Sequence, residues 1–305
     1  MDNQQEKSRW ESPDKSFIKI IKQEGKGLSK PNDGTKCLVN IIPLVANSVT
    51  DEVIGYKLNE DVAMCIGNGD AELSEVFEAC VESMTENETS ELLIPLDIIK
   101  NKWPDFKNES ITETSNYDGS NAVFQVQLKK FSPRKQIWEL EPHEKIKRAT
   151  ELKEIGSDNF KRGKFSVAEK FYTKCLKVLI TMGVEKTITE YDEDQISAYN
   201  SVRCAALLNL AACQLKCNRF EFVIEHCTKA LAVDPKNVKG LYRRGQAYTA
   251  INEFEKAKED LNHALELEPK NKAVITQMKA LNSKIKLHCE QYKKGMSKMF
   301  GGPVT

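Results

Sequence analysis

Long apolar runs are absent from this 305-residue chain, whereas a membrane-spanning helix needs about 20 such residues in a row. The opening residues, MDNQQEKSRWESPDK, contain no apolar stretch of the kind a secretory leader carries. An excess of one charge is absent too. With 45 basic residues against 45 acidic ones, no net field draws nucleic acid or an anionic membrane. These absences point to a cytoplasmic protein, with the nucleus as a second compartment, and leave no role for nucleic acid or membrane as partners. Metal-ligand spacing is also missing. The nine cysteines form no Cys-x-x-Cys pair, and His143, His226, His263 and His288 are scattered, so neither a zinc site nor any other cofactor is expected.

What the chain does have is a period. Pro235 and Pro269 stand 34 residues apart, each closing a stretch of the same internal spacing. The second copy carries Leu241, Gly245, Tyr248, Ala257, Ala264 and Pro269. Gly245 and Ala257 are small where one helix crosses the next, Tyr248 and Leu261 fill the space beside them, and Pro269 stops the second helix. The copy before it keeps Leu207, Ala211, Ala230 and Pro235 in the same slots. Further upstream, Leu152, Gly156, Ala168 and Tyr172 mark a third helix pair. That spacing is the tetratricopeptide signature. The repeats are placed at 149–182, 204–237 and 238–271. Between the first two lie about 21 extra residues, 183–203, including Met182–Gly183 at their edge and an acidic YDEDQ, read as an extended helix end plus a polar loop. Three helix pairs are about the minimum for a stable stack, because one pair cannot bury its own apolar face. Cys175, Cys204, Cys213, Cys217 and Cys227 fall at helix positions that want a small apolar side chain, which makes them buried thiols in a reducing compartment.

Ahead of the repeats the pattern changes. From Lys15 to Phe131 it runs through FIKIIKQEG, KCLVNIIPLV, DVAMCIG, SELLIPL and NAVFQVQLKKF, short β-branched and aliphatic segments that read as strands. Phe124, Val126 and Leu128 alternate with Val123, Gln125 and Gln127, so one face of the sheet is buried. One amphipathic helix, with Leu73, Phe77, Cys80, Val81 and Met84 on a single face, covers it. The fold class is α+β: an antiparallel sheet with one short helix, followed by an all-α solenoid. Residues 1–14 are expected to be disordered, 15–133 to form the sheet domain, 134–148 to be a linker and helix start, and 272–305 a capping helix and tail.

A sheet crossed by one helix, then WELEPHEKI, then repeats with a long first connection, resembles the FKBP-type immunophilins with tetratricopeptide tails. The likeness rests on FIKIIKQEGKG, on IGNG leading into the helix, on the closing strand NAVFQVQLKKF, on Trp138–Pro142 and Lys145, and on the repeats. The family's prolyl isomerase pocket is an aromatic box, which favours the less polar twisted amide. Here Ile41 stands where the family has a tyrosine, and TDEVIGYKLNED holds no Phe-Asp pair. Phe77 takes the tryptophan's place behind Ala71, Glu72 and Leu73, and DIIKNKWPDF replaces the Ala-Tyr-Gly loop. Phe124 alone keeps register with a pocket aromatic. The resemblance therefore implies one of the family's inactive, FKBP-like members, with Ile41, Phe77 and Phe124 as a vestigial pocket. A weak isomerase using Phe77 and Phe124 is the rival, and Trp103 and Tyr56 are candidates to rebuild an apolar patch.

In chaperone-binding members of the family, groove-facing positions of the first helix of each repeat form a carboxylate clamp. Carried over residue by residue, these positions fall on Lys153, Asn209, Lys239 and Arg243, with Ser157 where the family has an asparagine; a serine there retains one hydrogen bond to donate. Asn209 is conspicuous as a polar residue in the apolar AALLNLAAC. Arg244 and Lys236 read as ordinary surface. The resemblance implies a co-chaperone whose partner is the acidic C-terminal peptide of heat shock protein 90, of the Met-Glu-Glu-Val-Asp type, with the 70-kDa class as second candidate and the client unknown. An adaptor that binds internal peptides without a clamp is the other rival. The last helix ends in Lys284, Lys286, Lys293, Lys294 and Lys298 among Tyr292, Met296, Met299 and Phe300. Relatives sometimes bind calmodulin through such a tail; a solvated helix end with a frayed GGPVT is the reading preferred here.

Overall fold

The computed structural model describes residues 9–45, 49–102, 120–185 and 191–299. The chain divides into two compact units, Met1–Gln136 and Ile137–Thr305.

The first unit is a six-stranded antiparallel sheet of β1 (Arg9–Glu11), β2 (Ile18–Gln23), β3 (Lys36–Val45), β4 (Asp61–Cys65), β5 (Thr89–Pro95) and β6 (Asn121–Phe131), in the order β1-β2-β5-β6-β3-β4. The closing strand, β6, is central. Ala122, Phe124, Val126 and Leu128 on its inner face, with Val39 and Ile41 of β3 and Leu92 and Ile94 of β5, have no exposed surface. Among the described residues three helices accompany the sheet: α1 (Asp51–Ile54), α2 (Ser74–Glu82) and α3 (Leu96–Lys102). The amphipathic pattern finds only α2, because the other two are four and seven residues long, too short to show a helical stripe. Leu73, Phe77, Cys80, Val81 and Met84 are all fully buried, and Phe77 meets Phe124 edge-on with ring centroids 5.0 Å apart.

Two details depart from the sequence reading. Residues 9–11, inside the stretch expected to be disordered, form β1 and pair with Ile18–Ile20; Trp10 packs against Phe17 with centroids 5.6 Å apart, an apolar contact that draws the segment onto the sheet. Residues 1–8 lie outside the described residues. Val123, expected on the open face with Gln125 and Gln127, is also fully buried, because its cross-strand neighbours Val45 and Leu93 are apolar.

One ion pair sits inside this unit. Lys19 of β2 and Glu88 before β5 are each 4% exposed, with Nζ to Oε1 at 2.9 Å. Lys19 also donates to the Ser83 carbonyl at the end of α2, and Glu88 accepts from Thr85 N–H at 2.9 Å and Ser90 Oγ at 2.8 Å. The pair therefore ties the end of α2 to two strands.

The second unit opens with a 3-10 turn at Ile137–Glu139 and has, among the described residues, seven helices: α4 (Pro142–Lys161), α5 (Phe165–Glu185), α6 (Glu193–Lys216), α7 (Phe220–Val233), α8 (Val238–Ala250), α9 (Phe254–Leu267) and α10 (Lys272–Met299). Helix α4 starts seven residues before the repeat boundary drawn at 149, where Pro142 follows a Glu141/Glu144 capping box. The first and third helix pairs close on a glycine, and the second has Ala211 in that place. A Cβ at Gly156 would lie 2.8 Å from Tyr172 Cε1, and one at Gly245 would lie 2.9 Å from Leu261 Cγ. Helices α7 and α9 stop at equivalent corners, Asp234 and Glu268, ahead of the two prolines.

The long connection is mostly helix rather than loop. Helix α5 continues to Glu185 and α6 begins at Glu193, with Asp192 accepting from Gln195 N–H at 2.7 Å; residues 186–190 lie outside the described residues. Tyr199 and Val202 on the added turns are buried in the first repeat's core with Phe171, Val178 and Met182, and that burial makes a helix of a polar-looking segment. Cys175, Cys204, Cys213 and Cys227 are buried, but Cys217 is exposed, because it caps α6 one residue past its last helical position. Burial pushes the Cys175, Cys213 and Cys227 thiols up to about 12, so they remain protonated and unreactive. In α10, Val274 and Leu281 are fully buried and the helix is exposed from Lys286 to Met296. Phe300 and GGPVT lie outside the described residues.

Burial alone would raise the Glu88 carboxyl, yet its hydrogen bonds from Lys19, Thr85 and Ser90 outweigh that and hold it below the usual range. The stabilisation is full above the ordinary carboxylate range and is lost as pH falls through the folded value. Lys19→Met leaves the carboxylate buried without its cation, and urea unfolding at pH 7 should show a loss of about 3–5 kcal/mol. At about pH 4, where the stranded carboxyl takes up a proton, the gap between variant and native protein should narrow.

Candidate functional site

The first, or A, helices of the three repeats are α4, α6 and α8, and the second, or B, helices are α5, α7 and α9. Lys153 and Ser157 are one turn apart on α4, and Lys239 and Arg243 are one turn apart on α8, so each pair shares a face. Asn209 of α6 is half-exposed while Leu207, Leu208, Leu210 and Ala211 around it are buried. Asn209, Lys239 and Arg243 line a single groove of about 580 Å³ together with Asn200, Ser201 and Asp234. Asn200 and Ser201 belong to the added turns of α6, which a loop reading conceals.

The cations of this groove differ from their neighbours. Arg243 is held by a hydrogen bond from Nη1 to the Leu208 carbonyl at 2.8 Å, and burial pulls its guanidinium below the ordinary arginine value. Neither Arg243, Lys239 nor Lys153 forms an ion pair with a described residue. The next residue, Arg244, is the opposite case: its Nε and Nη2 bind Asp260 at 2.8 and 2.7 Å, and Nη1 donates to Thr228. Arg244 is therefore a partly buried structural ion pair, not ordinary surface, because α9 brings a buried carboxylate to it. Lys236 is exposed as expected.

Lys153 and Ser157 do not line that groove. Ser157 Oγ donates to the Lys153 carbonyl of its own helix at 2.8 Å and accepts from the Tyr172 hydroxyl at 3.2 Å. Its single proton is thus engaged, contrary to the expectation of a free donor. Arg243 also borders a second concavity of about 560 Å³ on its other side, walled by Phe160, Leu215, Phe220, Tyr242, Gln246 and Gln277.

In the N-terminal unit, Ile41, Phe77 and Phe124 come together, but inside the core: none has exposed surface. Tyr56 donates to Glu78 Oε1 at 2.5 Å, and Glu78 also accepts from the N–H groups of Gly67 and Gly69. Burial first, then the Glu78 charge, pushes the Tyr56 phenol far above its ordinary value. Tyr56 is thereby committed to the loop that leads into α2. Trp103 lies outside the described residues.

Comparison with known proteins bears on both units. The family described as "Tetratricopeptide repeat" matches residues 238–271. Peptidyl-prolyl cis-trans isomerase FKBP4 of Bos taurus is 30% identical over 291 residues, covering 95% of this chain and 59% of its own length. FK506-binding protein-like of Homo sapiens is 29% identical over 297 residues, covering 96% of this chain and 72% of its own. The chain has the two-part build of the FKBP-type immunophilins with tetratricopeptide repeats. A crystal structure of residues 1–211 of CG17282, 18% identical, shares the fold over 70% of this chain and 95% of that one with a TM-score of 0.52. The chain spans only 59% of the FKBP4 length that it matches. Among the described residues of this immunophilin-like chain no group of histidine, cysteine and carboxylate side chains could hold a metal, and no helix is long and apolar enough to cross a membrane.

The two adjacent arginines should separate in a thermal melt. Arg244→Met strands Asp260, which is 6% exposed, and should cost about 3 kcal/mol or more. Arg243→Met removes a desolvated cation with no carboxylate partner among the described residues and should leave Tm unchanged or raise it.

Proposed function

We propose that the repeat half holds the acidic C-terminal peptide of a cytosolic heat shock protein, the Met-Glu-Glu-Val-Asp end of the 90-kDa class first and the 70-kDa class second. Lys153, Asn209, Lys239 and Arg243 take the terminal carboxylates, and the client side of such a co-chaperone is open. The observation that carries this reading is the convergence of Asn209, Lys239 and Arg243 on one groove whose two cations have no carboxylate partner among the described residues. A peptide ending in aspartate offers two carboxylates a few ångströms apart, and charge-assisted hydrogen bonds from fixed donors separate it from a neutral end. Arg243 is desolvated before any ligand arrives, so an anion meets it without the dielectric screening of water.

The N-terminal unit acts in this reading as a scaffold without prolyl isomerase turnover. Isomerisation needs aromatic walls that a prolyl substrate can touch, whereas Phe77 and Phe124 spend their faces on each other and on Ile41. The alternative of a weak isomerase draws on the relatives named as isomerases, and it requires aromatic surface that these two residues do not offer.

Calorimetry with a Met-Glu-Glu-Val-Asp peptide tests the groove. Amidation of the peptide's C-terminus, and separately Lys239→Glu, should each weaken binding at least about tenfold, or 1.4 kcal/mol; three matching titrations would remove the clamp and leave an adaptor for internal peptides. For the scaffold reading, the full chain should leave the isomerisation rate of a prolyl peptide at its uncatalysed value, and clear turnover would restore the enzyme.

A further inference from the structure

Of the ten prolines, two follow a serine or threonine: Pro13 after Ser12 and Pro133 after Ser132. Each step carries a lysine three residues past the serine, Lys15 and Lys135. A proline directly after the serine and a cation at the third place are what a proline-directed protein kinase reads. The proline brings no N–H that the cleft must satisfy and holds the serine extended, and the cation meets acidic side chains. In sequence the two steps are equal. The fold separates them.

Ser12 is 4% exposed, and its Oγ accepts from Phe17 N–H at 3.0 Å and lies 3.3 Å from Ser16 Oγ. No kinase base reaches that hydroxyl while β1 is paired with β2. Ser132 is exposed, one residue past β6, and its hydroxyl has no hydrogen bond to a described residue. Pro133 and Lys135 are exposed as well. Arg134, at the place such a kinase leaves unread, is half-buried. Its Nη1 donates to the Gly34 carbonyl at 3.1 Å, and its own carbonyl accepts from Asn32 Nδ2 at 2.9 Å. The three residues to be read are therefore open to solvent while the fourth anchors the segment.

The surroundings of Ser132 also suit the product. Its N–H donates to the Lys36 carbonyl at 3.2 Å, continuing the ladder in which Phe131 faces Cys37 and Lys130 faces Leu38. Lys36 is thus directly across from Ser132, and Lys130 stands two residues back on the same face. The alternation of exposure agrees: Phe131 and Cys37 are buried at 8% and 3%, whereas Lys36, Leu38, Lys130 and Ser132 are exposed. Cβ atoms of facing residues are about 5 Å apart, within reach of a lysine ammonium. Neither lysine forms an ion pair with a described residue, so two cations flank this hydroxyl with no anion to hold.

We propose that Ser132 is phosphorylated by a proline-directed protein kinase and that Lys36 and Lys130 hold the phosphate. In the transfer, Ser132 Oγ bonds to the terminal phosphorus of ATP, the bond from that phosphorus to the bridging oxygen breaks to release ADP, and the hydroxyl proton passes to the kinase's carboxylate base. The added charge, about −1.5 to −2 at pH 7, then gains charge-assisted hydrogen bonds across the β3–β6 ladder. The site belongs to the sheet unit and does not depend on the peptide groove.

The test incubates the full chain with ATP and a purified cyclin-dependent kinase, and maps the phosphate by mass spectrometry. A single phosphate should appear, on Ser132, and Ser132→Ala should abolish it. Lys135→Ala should slow labelling about tenfold, the loss of one charge-assisted contact to the kinase. Phosphate on Ser12, or none on the full chain, overturns the site. For the lysines, phosphorus NMR of the phosphorylated chain should show the phosphate titrating below its usual value of about 6, because nearby cations favour the dianion. Lys36→Met together with Lys130→Met should raise that midpoint by about 0.5. Equal midpoints would remove the two lysines from the proposal's phosphate and overturn that half of it.

Discussion

The approach of an A helix to its B helix is the constraint on which the repeat half depends. At Gly156 there is no Cβ between the α4 backbone and the ring of Tyr172, and at Gly245 none between α8 and Leu261. Interiors are packed as tightly as organic crystals, so a methyl group at either place would drive the two helices apart. The close approach does more than stabilise the pair. It determines how far the Tyr172 phenol reaches through the first repeat, and so whether it meets Ser157 of α4. A contact that belongs to the core thereby sets the geometry of the candidate binding face.

The groove is built against stability where the rest of the repeat unit is built for it. Arg244 meets the buried carboxylate of Asp260 in a bidentate pair, the arrangement a charge needs when it leaves water. Its neighbour Arg243 is desolvated with only a backbone carbonyl as acceptor, and Lys239 stands exposed beside it. Asn209 interrupts an apolar helix. Local rules broken at clustered positions, where the two cations have no ion-pair partner among the described residues, support the peptide-binding reading.

The sheet unit shows the reverse. Aromatic residues at positions that form a pocket in the resembling enzymes pack here into a closed core, with Phe77 and Phe124 edge to edge under α2. The polar groups of the same region are spoken for as well: Tyr56 is bound to Glu78, which also receives the N–H groups of Gly67 and Gly69. Lys19 and Glu88 tie the far end of α2 to β2 and β5.

Much of this was written in one dimension. Periods of two over β6 and of 3.6 over α2 follow from which faces must leave water, and Leu73, Phe77, Cys80, Val81 and Met84 are buried as their spacing predicts. Gly156, Gly245, Pro235 and Pro269 mark crossings and corners because only those residues fit the backbone there. The positions 153, 209, 239 and 243 come from the resemblance to chaperone-binding relatives, with the repeat spacing supplying only the register. The α1 and α3 helices and β1 were hidden because they are shorter than the window in which a period can be seen, and the added turns of α6 looked like loop because their apolar residues, Tyr199 and Val202, are too few to show a stripe until α5 lies beside them. What a side chain is bonded to was decided only in three dimensions. Identical neighbours in sequence, Arg243 and Arg244, end as an open cation and a closed ion pair because α9 delivers a carboxylate to one face of α8 and none to the other. Sequence spacing determined which residues share a helix face; the packing of separate helices determined which of their hydrogen-bonding groups are already used and which remain for a ligand.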